Sequence, residues 1–437
     1  MPSPAPEPLA PRPLAVWLVN PFDDIPGEDL PPLRYWTLAR ILAARGHDVT
    51  WWSSTWSHRR KVARTVPTGI REDEGFSVRL VATPPYAKNV SLARLRSHRE
   101  FGKNFERLAN EAVASRQLER PDIILASLPP LESPEAATRL ARRMDATIVV
   151  DLMDVWPETF ERLVPGPAFI RKPLTGLFFG GMHRRRRELL AAADGVSAAT
   201  HTYAETVLGN VPADVPRHVC YVGAYLQEFA APPRVIDPVP LPGASTGSSS
   251  TSFEPIQCVY AGSLGAGQDL EALVAAARAL SAAGTRAVLH VAGTGPLEPM
   301  LRTTAASLRG SCTLEVHGLL ARADYVRLLG RCDVGLVLVK PESLVAVPYK
   351  ACDYAAAGLA LVNSLPGELA GLIETHTAGV SYVAGDGGSL ARAITELAAD
   401  RRRLLAVRTG ARHLAVAAFD RERTYAAFVD WLETLSE

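Results

Sequence analysis

Two doubly wound parallel α/β domains in tandem are the architecture this sequence predicts, on three observations. Short apolar runs alternate with helical stretches rich in Ala, Arg and Glu from residue 14 onward. The alternation breaks at a segment crowded with Pro, Gly and Ser over 230–254, then restarts. At 437 residues the chain is too long for one ordinary hydrophobic core. Strand–helix alternation with short connections makes a parallel sheet covered on both faces.

In chain order, "MPSPAPEPLAPRP" (1–13) reads as a disordered tail, without an apolar core of signal-peptide length. "LAVWLVN" is the first strand, "LRYWTLARILAARG" a helix ended by Gly46, and "HDVTWWSS" the next strand. "PDIILAS", "ATIVVDL" and "GVSAAT" are three later strands, which completes a first domain over 14–229. Residues 230–254 form a linker or surface loop. The second domain, 255–413, runs through "IQCVYAG", "AVLHVAG", "CTLEVHG", "VGLVLV", "ALVNS" and "GVSYV". A last helical stretch, 414–437, is expected to pack back on the first domain. Ligands of such sheets bind at the carboxyl ends of the strands, so a cleft faced by both domains is the expected active site.

Composition narrows the class. Apolar residues make up 47% and charged residues 21%, as in packed globular proteins. With 47 basic against 46 acidic residues, no global charge attracts nucleic acid, and any anion site must be local. The cysteines Cys220, Cys258, Cys312, Cys332 and Cys352 lack CxxC or zinc-like spacing and read as buried thiols of a reducing compartment. No metal-ligand cluster and no cofactor motif is evident, and no run approaches a membrane span. A cytoplasmic protein, at most peripheral at the inner face of the membrane, is expected.

The stretch "VPYKACDYAAAGLALV" (347–362) carries the first chemistry. Pro348 suits a helix's first turn, Gly358 its end, and "LALV" a short buried strand. Lys350 then lies at the positive end of a helix, beside unpaired backbone N–H groups that welcome an anion. Lys350 and Asp353 are also three apart, so a simple ion pair on one helix face is the alternative. Three strands of the same domain end in glycine, in "VYAGSLGAGQDL", "HVAGTGPLE" and "VHGLL". One such loop is ordinary turn chemistry; three in register, with Lys350 at a fourth helix start, point to a nucleotide. The spacing is neither the dinucleotide fingerprint nor a P-loop, which argues against nicotinamide and ATPase chemistry.

These segments, with "AGTGPLEPML" and "GELAGLIETHTAGVSYVAGD" in the second half and "NPFDDIPGEDLPPLRYWTLARILAARGHDVTWW", "RPDIILASLPP" and "VVDLMDVWPETF" in the first, resemble family 4 glycosyltransferases of the GT-B fold. The similarity is closest to the branch that builds bacterial surface polysaccharides from N-acetylated or deoxy amino sugars. The resemblance implies a retaining transferase that takes a hexosyl or N-acetylhexosaminyl group from a nucleotide diphosphate sugar, expected to be UDP-linked, to a hydroxyl acceptor. It implies no cofactor and no metal. It places the donor against Gly27, Gly262, Ser263, Gln268, Gly293, Gly295, Gly318 and Leu319, with Lys350 on the β-phosphate and Asp353 on the ribose.

The chain departs from the family pattern at Ser263 and Gln268, where many members have Arg and Lys. That leaves more of the phosphate charge to Lys350, helped by Lys340. Val345 stands where a donor-sugar Glu is usual, and Met153 precedes Asp154 where the family often has a His.

Asp154, at the carboxyl end of "ATIVVDL", reads either as a catalytic contact to the sugar or acceptor, or as a cap ahead of "WPETF". Trp156 beside it would make a sugar-stacking wall. Glu28, Arg34 and His58 are further candidates on the acceptor side, each with a plain surface reading beside it. Between Arg162 and Arg187 lie seven basic residues and no acidic ones, interleaved with "PLTGLFFGGM". Such a stretch can rest on an anionic membrane, or be a solvated helix face over a core. Two other functions share the architecture: a UDP-N-acetylglucosamine 2-epimerase-like isomerase, and a non-catalytic partner of another transferase.

Overall fold

The computed structural model describes residues 12–28, 32–65, 69–71, 74–162, 164, 168–209, 211–229 and 254–436. The expected tail and linker fall almost wholly outside these residues. The chain divides into two compact units. The first comprises Met1–Ala199, Tyr203–Cys220 and Tyr425–Glu437, and the second Thr200–Thr202 and Tyr221–Thr424.

The strands of the first unit are β1 (Ala15–Val19), β2 (Asp48–Ser54), β3 (Trp56–Ser57), β4 (Val62–Ala63), β5 (Gly69–Arg71), β6 (Phe76–Val81), β7 (Ile123–Leu128), β8 (Thr147–Leu152), β9 (Gly195–Ala198) and β10 (Arg217–Val219). Eight of them form one sheet in the order β10-β9-β8-β7-β1-β2-β6-β5, parallel except at the β5 edge. β1 and β7 are buried along their whole length, as strands covered on both faces must be. β1 pairs with β2 on one side and β7 on the other, which makes it the point where the strand order reverses. The loops leaving β1 and β7 therefore diverge.

The second unit repeats the plan with β11 (Ile256–Ala261), β12 (Ala287–Ala292), β13 (Cys312–Gly318), β14 (Val334–Val337), β15 (Ala360–Asn363) and β16 (Gly379–Ser381). Its all-parallel order is β13-β12-β11-β14-β15-β16, with the reversal at β11. The five cysteines are buried free thiols. Among the described residues no helix is long and apolar enough to cross a membrane.

The units differ from the expected domain bounds at two places. Residues 221–229 group with the second unit rather than the first. Their backbone is tied to the end of the chain: Ala224 N donates to Phe419 O at 2.8 Å, and the Arg421 guanidinium donates to the carbonyls of Val222 and Gly223 at 2.9 Å. Thr200–Thr202 join them because Glu368 accepts the N–H groups of His201 and Thr202 at 2.9 and 2.8 Å. The last helix, Arg421–Thr434, belongs to the first unit from Tyr425 onward rather than from 414. Tyr425, Phe428, Val429 and Leu432 are there part of the core that holds Tyr35, Leu38 and Val49.

Candidate functional site

In the second unit the loops after β11, β12 and β13 interlock before any ligand is considered. Gly262 N donates to Ala292 O at 2.9 Å, Leu264 N to Thr294 O at 2.9 Å, and Gly293 N to Gly318 O at 2.7 Å. A Cβ on Gly293 would stand 1.8 Å from Gly262 O, and one on Gly295 2.6 Å from Leu264 O. The close approach these glycines permit is thus first that of one loop to the next. Gly262 differs. A Cβ there would meet Lys350 Nζ at 2.8 Å.

Lys350 lies in the first turn of the helix Tyr349–Ala356, which Pro348 caps in extended conformation rather than begins. Its Nζ donates to Gln268 Oε1 at 3.1 Å and sits 4.1 Å from the centre of the Tyr260 ring. Tyr260 Oη in turn donates to Ser263 O at 2.8 Å and lies 3.0 Å from Gln268 Oε1. The structure therefore brings Gly262, Ser263, Gln268 and Lys350 together, at the strand-order reversal where a doubly wound sheet binds its ligand. No carboxylate pairs with Lys350 among the described residues, and burial pushes its pKa down to about 7. Holding a half-buried amine charged without a counter-ion is costly, and an anion beside it would relieve that cost.

Asp353 does not pair with Lys350. Its carboxylate accepts from Arg322 Nη1 at 2.9 Å and Tyr325 Oη at 3.2 Å. Arg322, which the sequence reading missed, also donates to Glu228 Oε2 from Nε at 3.0 Å. Lys340 is paired too, with Glu271 at 3.3 Å. Leu319, just past Gly318, is 77% exposed.

The first unit corrects several expectations. Arg34 is not a surface ion pair: it is 0% exposed and forks onto Asp151 with bonds of 2.8 and 2.9 Å. Glu28 is buried, accepting from Ile25 N at 2.8 Å and from Arg64 Nε at 3.1 Å, beside Gly27 at φ +90°. Its carboxylate anchors the loop after β1. Asp154 accepts from Val155 N at 2.8 Å, Trp156 Nε1 at 3.1 Å and Thr159 Oγ1 at 3.2 Å, the bonds of a local cap. Trp156 is 5% exposed, its ring 4.5 Å from Phe160 and 5.8 Å from His98, so it offers no open platform to a sugar. His58 Nδ1 lies 2.6 Å from Tyr86 Oη, and burial with the charges of Arg94 and Lys61 lowers its pKa to about 3. It is a neutral imidazole at working pH, not a proton acceptor of useful strength.

His58 belongs to a grouping that no motif announced. Arg94 is 8% exposed, and its guanidinium lies 5.2 Å from the Phe22 ring and 4.9 Å from the Trp156 ring. It donates to Asn89 O at 2.7 Å and His98 Nε2 at 3.2 Å, and has no ion pair with a carboxylate among the described residues. His98 Nδ1 is buried without a hydrogen-bond partner. Lys61 lies 4.8 Å over the Tyr86 ring, with its pKa lowered to about 8 by burial and then by Arg94. Arg94 and His98 are four apart in "LARLRSHREF", and that helical spacing was the one signal available.

The basic run also changes character. Arg185 pairs with Glu135 at 2.7 Å, and buried Arg186 with Glu158 at 2.6 Å, so glutamates distant in sequence neutralise two of its charges. Phe179 stacks on Phe160 at 6.4 Å, whereas Leu177 and Phe178 are exposed. The side chains of Arg171 and Lys172 lie outside the described residues. The expected lack of a metal-ligand grouping needs correction as well: His290, Glu315 and His317 converge on the second sheet.

Two parallel α/β units, each with its ligand loops at a strand-order reversal, define the GT-B class of glycosyltransferase. Two family models match in the same order, a "Glycosyl transferase 4-like domain" over 34–223 and "Glycosyl transferases group 1" over 255–400. The chain belongs to the family 4 type of GT-B glycosyltransferases. Its fold is similar to that of HepE from Anabaena in complex with UDP, at 14% identity and TM-score 0.65, covering 96% of this chain and 100% of that one. Sucrose-phosphate synthase from Thermosynechococcus elongatus is 15% identical with TM-score 0.68, covering 97% and 99%. WaaG, a glycosyltransferase involved in lipopolysaccharide biosynthesis, is 13% identical with TM-score 0.60, covering 95% and 99%. No curated protein matches the chain significantly.

Proposed function

We propose that this protein is a retaining glycosyltransferase that moves a hexosyl or N-acetylhexosaminyl group from a UDP-sugar to a hydroxyl acceptor. The observation that carries the reading is Lys350, a half-buried, desolvated amine with no carboxylate partner among the described residues, at a helix start against the loop at Gly262. Breaking the glycosidic bond leaves a nucleoside diphosphate. Its growing negative charge falls where Lys350 and the first N–H groups of the helix are already oriented. The UDP and UDP-glucose complexes of HepE support uridine as the nucleotide. In this scheme Asp353, steadied by Arg322, accepts from the ribose hydroxyls, and exposed Leu319 packs against the base.

Calorimetry with UDP tests the assignment. A diphosphate beside Lys350 raises its pKa, so above pH 7 binding takes up a proton. Affinity should fall as pH rises from about 7.5 to 9, by up to about tenfold per unit. The binding enthalpy should depend on the buffer's ionisation heat. Pure, pH-independent binding in that range sinks the Lys350 assignment. In the same experiment Asp353→Asn should weaken UDP and UDP-sugar alike, and unchanged UDP affinity would leave Asp353 as a structural partner of Arg322 alone.

On the acceptor side the Arg94 grouping replaces Glu28, Arg34 and Trp156. An unpaired guanidinium and an orphaned His98 Nδ1–H suit an acceptor that carries a phosphate or carboxylate near its hydroxyl. Arg94→Met should raise KM for such an acceptor about tenfold or more while UDP affinity stays put. Equal KM values in both proteins would return Arg94 to a packing role.

A further inference from the structure

We propose that His290, Glu315 and His317 form a binding site for a zinc-class divalent cation. His290 of β12 stands opposite Glu315 of β13 in the parallel register. His317 is the residue skipped where Val316 pairs with Val291 and Gly318 with Ala292, and at that irregularity its ring converges with Glu315 and His290. The result is a triangle of ligand atoms. His290 Nδ1 lies 3.0 Å from His317 Nε2 and 3.2 Å from Glu315 Oε2, and the third edge, His317 Nε2 to Glu315 Oε2, is 3.9 Å. Ligands held tetrahedrally at about 2.0–2.1 Å from zinc are about 3.3–3.4 Å apart. The three observed edges bracket that value, so a cation could enter with small side-chain adjustments.

The protonation pattern fits as well. Gln257 Nε2 donates to Pro255 O at 3.2 Å, which orients the amide so that its Oε1 is the acceptor. His290 Nε2, 2.9 Å from that oxygen, is therefore the N–H of the ring, and Nδ1 carries the lone pair. Nδ1 is the atom that faces His317 and Glu315. A ligating histidine whose far nitrogen donates to a fixed oxygen is the usual supporting arrangement at a metal. Without the ion, one proton is shared among His317 Nε2, His290 Nδ1 and Glu315 Oε2. When the ion binds, that proton moves to His317 Nδ1 and both neutral rings present lone pairs.

Two imidazoles and one carboxylate favour a borderline cation such as Zn²⁺ over Ca²⁺ or Mg²⁺, which prefer all-oxygen shells. His290 is 8% exposed, while His317 is half-buried and Glu315 exposed, so the site has a fixed floor and an open approach. Three protein ligands leave a fourth position to water. The ligands tie the edge strand β13 to β12 next to the register shift at Val291/Ala292, one residue before Gly318. A bound ion would clamp that edge where the glycine loops depart.

The test uses the full chain without a polyhistidine tag. Zn²⁺ titrated by calorimetry should bind one per chain. Co²⁺ should give the intense visible absorption of a tetrahedral site, and Zn²⁺ at about a hundredfold over Kd should raise the melting temperature by roughly 5 °C or more. His317→Ala and Glu315→Gln, both at positions with access to solvent, should each weaken binding at least tenfold while far-UV circular dichroism stays native. Gln257→Ala, which touches no ion, should weaken it about 10–100-fold by freeing the His290 ring. Absence of one-to-one binding overturns the site. So does one-to-one binding of undiminished affinity in the His317 and Glu315 variants, which would place the ion elsewhere.

Discussion

Lys350→Ala should lower the turnover number by about 10²–10³ while weakening UDP-sugar binding much less, because the charge that Lys350 meets grows only as the glycosidic bond breaks. The same geometry makes a second expectation that separates function from architecture. Lys350 has no carboxylate partner among the described residues, and burial pushes its pKa to about 7. Removing such a charge should relieve the unliganded protein, so Lys350→Met should melt no lower than wild type, even as activity collapses. A structural lysine would behave the other way, losing stability and keeping turnover. Steady-state kinetics beside thermal unfolding of the two variants distinguishes the cases. Near wild-type turnover in either variant takes Lys350 out of the mechanism.

Arg34→Leu should be among the most destabilising single changes in the first unit, costing about 3–5 kcal/mol. The guanidinium is fully buried and makes three strong bonds, two to Asp151 and one to Cys220 O at 2.7 Å, and it lies 4.9 Å over the Phe428 ring. Asp151 also accepts from Ser197 Oγ at 2.7 Å. Truncating Arg34 leaves the carboxylate buried and unpaired, at the carboxyl half of β8, where water cannot replace the lost donors. Against a total stability of about 5–15 kcal/mol this is a large fraction. For a unit of this size it should lower the first unit's melting temperature by roughly 6–20 °C. Denaturant melts give the measurement. If Arg34→Leu keeps its stability but loses activity, Arg34 touches substrate after all, as its place in the helix after the first loop suggested.

Two arginines show where sequence reasoning stops. Arg34 read as an acceptor-side candidate or a surface charge and Arg94 was not singled out, because a helix position says nothing about what covers it from another segment. Arg34 is covered by Asp151 from β8 and by Phe428 from the end of the chain, and Arg94 by Phe22 and Trp156. The burial of Trp156 and Glu28 was illegible for the same reason: their partners, His98 and Arg64, are distant in sequence. Such partners leave no periodic trace.

What the sequence by itself determined is the architecture. Short apolar runs, Ala-rich helices and the glycines at strand ends are local signals, each written within a few residues of the element it makes. The lysine at 350 was legible because the proline before it and the glycine after it mark one helix, and a helix start has the same physics anywhere. The tertiary structure alone decided which charges are free. It gave Asp353 to Arg322 rather than to Lys350, left Lys350 and Arg94 without carboxylate partners among the described residues, and brought His290 to Glu315 and His317 across 25 residues of chain. Charge pairing and ligand clustering depend on distance in space, and the sheet register, not the sequence interval, sets that distance.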